Sequence, residues 1–207
     1  DDLNEADLWN VRLKTLYTPT DNLDVTATVW RIRSSLDGAN TFSRLDPVTG
    51  EEWSEPTMAG TGGEIGFIDT ELDLYSLLVN WDLPFATLVS ATSYTEHELD
   101  FVFPLFTAGL QFYNDSTFRT DALTQELRLL SLDDSPVKWI VGGFYRDATI
   151  ESDIDFYLDF GGGVTFPLID TYGDIETESW AVFGEVSIEL FDGLIEPLIG
   201  LRYFEDD

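Results

Sequence analysis

Val137-Lys138-Trp139-Ile140-Val141-Gly142-Gly143-Phe144-Tyr145-Arg146 has a period of two, with Val137, Trp139, Val141, Gly143 and Tyr145 on one side and Lys138, Ile140, Gly142, Phe144 and Arg146 on the other. Side chains of an extended chain alternate between faces, so this stretch is a two-faced β-strand and not a helix. The same alternation runs through Trp9, Val11, Leu13, Thr15 and Tyr17 against Asn10, Arg12 and Lys14. It returns in Trp180, Val182, Gly184, Val186, Ile188 and Leu190 against Ala181, Phe183, Glu185, Ser187 and Glu189.

Turn chemistry separates such stretches: Pro19-Thr20-Asp21-Asn22, Asp82-Leu83-Pro84, Asp133-Asp134-Ser135-Pro136 and Asp192-Gly193. Eight strands follow, at about 9–18, 24–35, 71–82, 85–97, 119–132, 137–151, 177–190 and 195–204. The expected fold class is all-β, an antiparallel up-and-down meander of about eight strands forming one β-barrel segment over 1–207. Short turns at about 19–23, 83–84, 133–136 and 191–194 alternate with long outer loops at about 36–70, 98–118 and 152–176. All tight turns then share one end and all long loops the other, which is the asymmetry of an outer-membrane barrel. Alternation alone fits a soluble antiparallel sandwich or barrel equally well, with the apolar face turned to a core.

Charge separates these readings further. The chain has 207 residues with 40 acidic and 10 basic side chains, a formal charge of -30. Such a chain repels phosphate, so nucleic acid is excluded as a partner. Residues 1–8, the three long loops and 205–207 together hold 23 of the 40 acids, and topology gathers all five segments at one end. Arg12, Lys14, Arg31, Arg33, Arg128, Lys138, Arg146 and Arg202 fall inside strands, where a polar face must be water-filled or paired with carboxylates such as Glu126, Glu185 and Glu196. The lumen-facing polar set is therefore Arg12, Lys14, Glu126, Arg128, Lys138, Arg146, Glu185 and Arg202. In strand 24–35, Arg31 and Arg33 argue that the odd positions point inward. Trp9, Tyr17, Trp81, Trp139, Tyr145, Trp180 and Tyr203 stand near strand ends, where aromatic girdles meet the two faces of a bilayer.

With no cysteine and one histidine, thiol chemistry, Cys-ligated metals and His pairs are excluded. His97 beside Glu96 and Glu98 is assigned no role. Asp153, Asp155 and Asp159, or Glu51, Glu52 and Glu55, offer oxygens to Ca²⁺ but lack the glycine and terminal Glu of an EF-hand loop, so Ca²⁺ is weakly supported and no other cofactor is expected. The glycines at 60–66 and Gly161-Gly162-Gly163 lack the Lys-Ser/Thr of a phosphate cradle. Among 40 acids some pair always has a suitable separation, so paired carboxylates are uninformative and no enzyme is expected. Phe101, Phe103, Phe106, Phe112 and Tyr113 are too apolar for an idle outer loop and are candidate contacts for a ligand or partner.

Leu123-Thr124-Gln125-Glu126-Leu127-Arg128-Leu129 followed by Trp139-Ile140-Val141-Gly142-Gly143-Phe144-Tyr145 resembles a strand pair of TonB-dependent outer-membrane receptors. Trp180-Ala181-Val182-Phe183-Gly184-Glu185 with Gly200-Leu201-Arg202-Tyr203 resembles the next hairpin of that family. The resemblance implies a barrel of about 22 strands with a plugged lumen, in the bacterial outer membrane, taking up a siderophore, cobalamin, haem or carbohydrate with energy from TonB. Its partners would be the lipid bilayer, the remainder of the barrel, the plug and, through these, TonB. The expectation is a middle segment of such a receptor, without TonB box, plug or final strand. The rival is a self-contained eight-stranded barrel or a structural subunit that self-associates edge to edge through its open strands.

Overall fold

A computed structural model of the chain describes residues 5–37, 41–45, 52–56, 66–107, 110–132, 135–160, 164–191 and 194–207, and the side chains of these outside 41–45, 52–56, 105–107 and 110. Ten strands follow in order: β1 (Ala6–Thr20), β2 (Leu23–Asp37), β3 (Thr41–Leu45), β4 (Glu52–Pro56), β5 (Phe67–Asp82), β6 (Ala86–Thr107), β7 (Leu110–Ser131), β8 (Val137–Asp159), β9 (Thr165–Ile188) and β10 (Leu198–Asp206). Eight form one antiparallel sheet in the order β1-β2-β5-β6-β7-β8-β9-β10, and β3 and β4 pair as a separate hairpin. This is the all-β meander, and each of the eight expected strands lies on one of the eight observed.

The sheet does not close on itself. β1 pairs only with β2 and β10 only with β9 among the described residues, so this chain is an open eight-stranded wall and not a small closed barrel.

Turns at the tight end are tied to one another. The Asp82 amide donates to the Asn22 carbonyl at 2.8 Å, the Asn22 side-chain amide returns a bond to the Asp82 carbonyl at 3.0 Å, and Leu83 closes the next turn onto Ala86. Asn and Asp hold such positions because their side chains satisfy local backbone groups.

At the other end the strands run much further than the alternation first suggests. Residues 98–107 and 110–118 continue β6 and β7, and 152–159 and 165–176 continue β8 and β9, so most of two expected long loops is paired strand. The reason is a change of frame. Along β8 the apolar residues are the odd ones from Val137 to Tyr145, and then the even ones: Ala148, Ile150, Ile154, Phe156 and Leu158. A reading that follows one apolar face stops where the apolar residues change sides.

Partners across each antiparallel ladder share a face, so the register sorts the whole sheet. One face, here the banded face, carries Trp9, Val11 and Leu13 on β1, Tyr75, Leu77 and Val79 on β5, Leu123 and Leu127 on β7, and Val182 and Val186 on β9. Between the tight turns and a line through Trp9, Val29, Tyr75, Tyr94, Leu123, Tyr145, Trp180 and Tyr203, no Asp, Glu, Lys or Arg stands on this face. Two residues beyond that line every strand places a charge on the same face: Asp7, Arg31, Asp73, Glu96, Asp121, Asp147, Glu178 and Glu205.

Candidate functional site

The charge-free band distinguishes the two sides of the wall and has the make-up of a lipid-facing surface. Trp9 to Tyr17 spans about 26 Å of strand at ~3.3 Å per residue, of the order of the apolar band of an outer-membrane barrel even before tilt shortens it. Leu8, Val11, Leu13, Leu77, Leu127, Val141, Val182 and Leu201 are all exposed although large and apolar. For all of these but Leu8 the exposure is on the banded face. Trp81 and Tyr17 stand at the tight-turn edge of the band, and Tyr75, Tyr94, Tyr145 and Trp180 at the far edge, which gives the two girdles. The opposite face is then the inner one.

Behind the band, the inner face carries Arg12, Lys14, Glu126, Arg128, Lys138, Arg146, Glu185 and Arg202, all eight on the same side of the sheet. Arg128 pairs with Glu126 two residues away at 3.1 Å. Arg12 lies over Trp30 at 5.5 Å, and Arg202 lies between Phe183 and Phe204 at 5.9 and 5.8 Å. These are cation–π placements, which keep a guanidinium over an apolar ring while its edge stays available to water. The Trp30 indole N–H is buried without an acceptor.

Arg31 and Arg33 correct the expectation for strand 24–35. They share the banded face with Val25 and Val29, not the inner one, and lie beyond the band, where Arg33 bridges Glu71 at 2.8 Å and Asp73 at 2.7 Å and Arg31 reaches Asp73 at 3.4 Å. Arg119 completes the group on Glu98 at 3.0 Å. The partners are Glu71, Asp73 and Glu98, three residues outside the carboxylate set first considered. Their position one strand away on the same face is the signal that pairing register supplies and a single strand does not.

Beyond the band the two faces exchange character. The outward side becomes acidic, with like charges directly opposed: Glu96 faces Asp121, Asp115 faces Asp155, and Asp155 faces Asp170. Burial pushes the Asp115 carboxyl up, and Asp155, Asp100 and Asp153 push it further. Asp153 and Asp155 therefore stand on β8 itself, in a strand and not a loop. Asp159 closes the same strand, and the side chains of Glu51, Glu52 and Glu55 lie outside the described residues.

The inner side becomes aromatic. Phe101 stacks on Phe118 at 6.1 Å and meets Phe103 at 5.1 Å, and Phe112 stacks on Phe156 at 5.7 Å and 7°. Phe101, Phe103 and Phe112 are thus brought onto one wall. Tyr113 is not with them: it is buried on the other face against Tyr157 at 5.3 Å. The Phe106 side chain lies outside the described residues. Phe118 and Phe156, which sequence spacing left out, are the partners that complete the stacks.

No protein-family model and no curated protein matches the sequence. Among solved structures the chain is similar to the ferric yersiniabactin uptake receptor FyuA from Yersinia pestis, with a TM-score of 0.74 and 16% identity over 97% of this chain and 29% of that one. It is also similar to the ferric citrate transporter FecA in its unliganded form, with a TM-score of 0.63 and 15% identity over 97% of this chain and 30% of that one. The chain spans under a third of the length of each of these two proteins. It has the fold of a segment of their barrel, and its neighbours are receptors and transporters, not enzymes.

Proposed function

We propose that this chain is a wall segment of a TonB-dependent receptor in the bacterial outer membrane, working in the active uptake of a scarce solute such as a siderophore, cobalamin or carbohydrate. The observation that carries the reading is the charge-free girdled band on one face, backed by eight charged side chains on the other, in a sheet that follows a receptor barrel over 97% of its length. Charges tolerated only on the inner side imply a lumen that holds water or protein. In such a receptor the rest of the barrel would pair with the open edges of β1 and β10, and a plug and TonB would act through it.

Uptake by cells tests the reading. Bacteria carrying the receptor should accumulate at least one of a set of ⁵⁵Fe chelates, labelled cyanocobalamin and labelled malto-oligosaccharides, and a protonophore or loss of TonB should abolish the accumulation. Accumulation of none of them, or entry indifferent to energy, would overturn active transport. The two unpaired edges support one rival, a subunit joined to copies of itself. That rival expects crosslinks between cysteines introduced at Val11 and Leu201 of different chains, which share the banded face at one level, and the receptor reading expects none.

A further inference from the structure

Resting on the transport reading, we propose that the outer half of the inner wall selects uncharged solutes with apolar surface and turns away anionic ones. The inner face in this zone comprises alternate residues of 6–8, 32–36, 68–72, 95–103, 112–122, 148–158 and 166–177, with Phe204 and Asp206 on β10. Among these, Asp206, at the β10 edge and bonded by the Ser179 hydroxyl, is the one Asp, Glu, Lys or Arg. Leu99, Phe101, Phe112, Phe118, Ile154 and Phe156 supply its surface, and the paired rings present flat faces.

An anionic solute needs a cation or free N–H to replace its water when it leaves solution. This wall offers no lysine or arginine, and the side-chain N–H groups on it are those of His97 and Asn114, too few to replace the water of a multiply charged anion. Its backbone N–H groups are held in the ladders. The three arginines at this level, Arg31, Arg33 and Arg119, stand on the other face and are each held by a carboxylate. One sheet thickness behind the wall lie Asp69, Glu71, Glu96, Glu98, Asp100 and Asp121, and their field opposes an approaching anion. A cation gains from that field but finds on the wall only the Asp206 carboxylate, already bonded by Ser179 at the β10 edge, and further in it meets Arg12, Lys14, Arg128, Lys138, Arg146 and Arg202. An uncharged solute meets neither obstacle and gains from covering the rings.

The test uses the full receptor in lipid nanodiscs and two iron chelates of similar size, a charge-neutral ferric trihydroxamate and a trianionic ferric tricatecholate, with binding measured by titration calorimetry. The neutral chelate should bind at least tenfold more tightly. Phe101→Ala and Phe118→Ala should weaken it several-fold, with Phe118→Leu intermediate, and Asp153→Asn on the outward face should change nothing. Phe118→Arg should shift preference toward the anion. Equal or tighter binding of the tricatecholate, or indifference to Phe101→Ala and Phe118→Ala, would overturn the selectivity while leaving transport standing. Binding of neither chelate at millimolar concentration, together with absent uptake of every solute in the cell assay, would overturn both.

Discussion

A methyl group at position 142 would stand 2.4 Å from the Phe183 ring and 2.8 Å from the Leu127 carbonyl oxygen, whereas one at position 143 would meet only the Ala181 carbonyl at 3.7 Å. The two adjacent glycines therefore do different work. Gly142 lets the Phe183 ring lie flat against the inner backbone beneath Arg202, and Gly143 thins the lipid face. Gly142→Ala should cost about 1–3 kcal/mol, the ordinary penalty of overpacking, and Gly143→Ala should be neutral, with urea unfolding in lipid vesicles as the check. The same measurement separates the faces: Leu127→Arg should cost about 2–4 kcal/mol as a lipid-exposed charge at mid-depth, and Thr124→Arg on the inner face much less. The placement of Arg31 and Arg33 was not legible in strand 24–35, because arginine on a strand signals only a polar surroundings. Two such surroundings exist, the lumen and the water beyond the band, and the choice depends on Glu71 and Asp73 of another strand.

At the scale of a strand, the alternation in β1, β7, β8 and β9 was legible because a lipid-facing row and a lumen-facing row differ in every second residue. The continuation of β6 into 98–107 and of β8 into 152–159 was not, since the apolar row there changes sides. Above the band the strands from β5 to β9 are built as in a water-soluble barrel, mostly polar outward and apolar inward, and below that level the reverse holds. The acidic outward rows carry a pH signature. The Asp115 carboxyl is pushed up by burial and by its three neighbouring carboxylates, so stability from its protonated form is complete below the ordinary carboxylate range. That stability is lost as pH rises through the folded value. Asp115→Asn should accordingly unfold at higher denaturant than the wild type at pH 7, and the two midpoints should draw together as pH falls toward 4. A gap that stays constant with pH would remove Asp115 as its cause.

For the whole molecule, the girdles predict depth. Lipids carrying a spin label near the headgroup should quench Trp9, Trp81 and Trp180 more than lipids labelled at the chain end, and Trp30, alone among these four on the inner face, should respond to neither. Single-tryptophan variants in vesicles make the comparison, and strong quenching of Trp30 by either lipid would reverse the two faces. The resemblance to TonB-dependent receptors was carried mainly by the second half of the chain, in the β7–β8 and β9–β10 hairpins, and the shared fold is what the solved structures bear out. The proposed preference for uncharged solutes was not legible, because it rests on an inner wall whose membership only the strand register reveals.

The row of charges two residues above the last apolar side chain of every strand has a mechanical meaning. Sinking the wall by two residues would carry Asp7, Asp73, Glu96, Asp121, Asp147, Glu178, Glu205 and Arg31 into hydrocarbon at once, and raising it would bring the inner arginines no relief while exposing the band to water. Each ion adds its own restoring force, so eight strands resist displacement together. In the receptor proposed above, a machine drawing on the lumen from the periplasmic side would thus pull against a fixed mount, and the traction would go into what the barrel holds and not into dragging the barrel through the membrane.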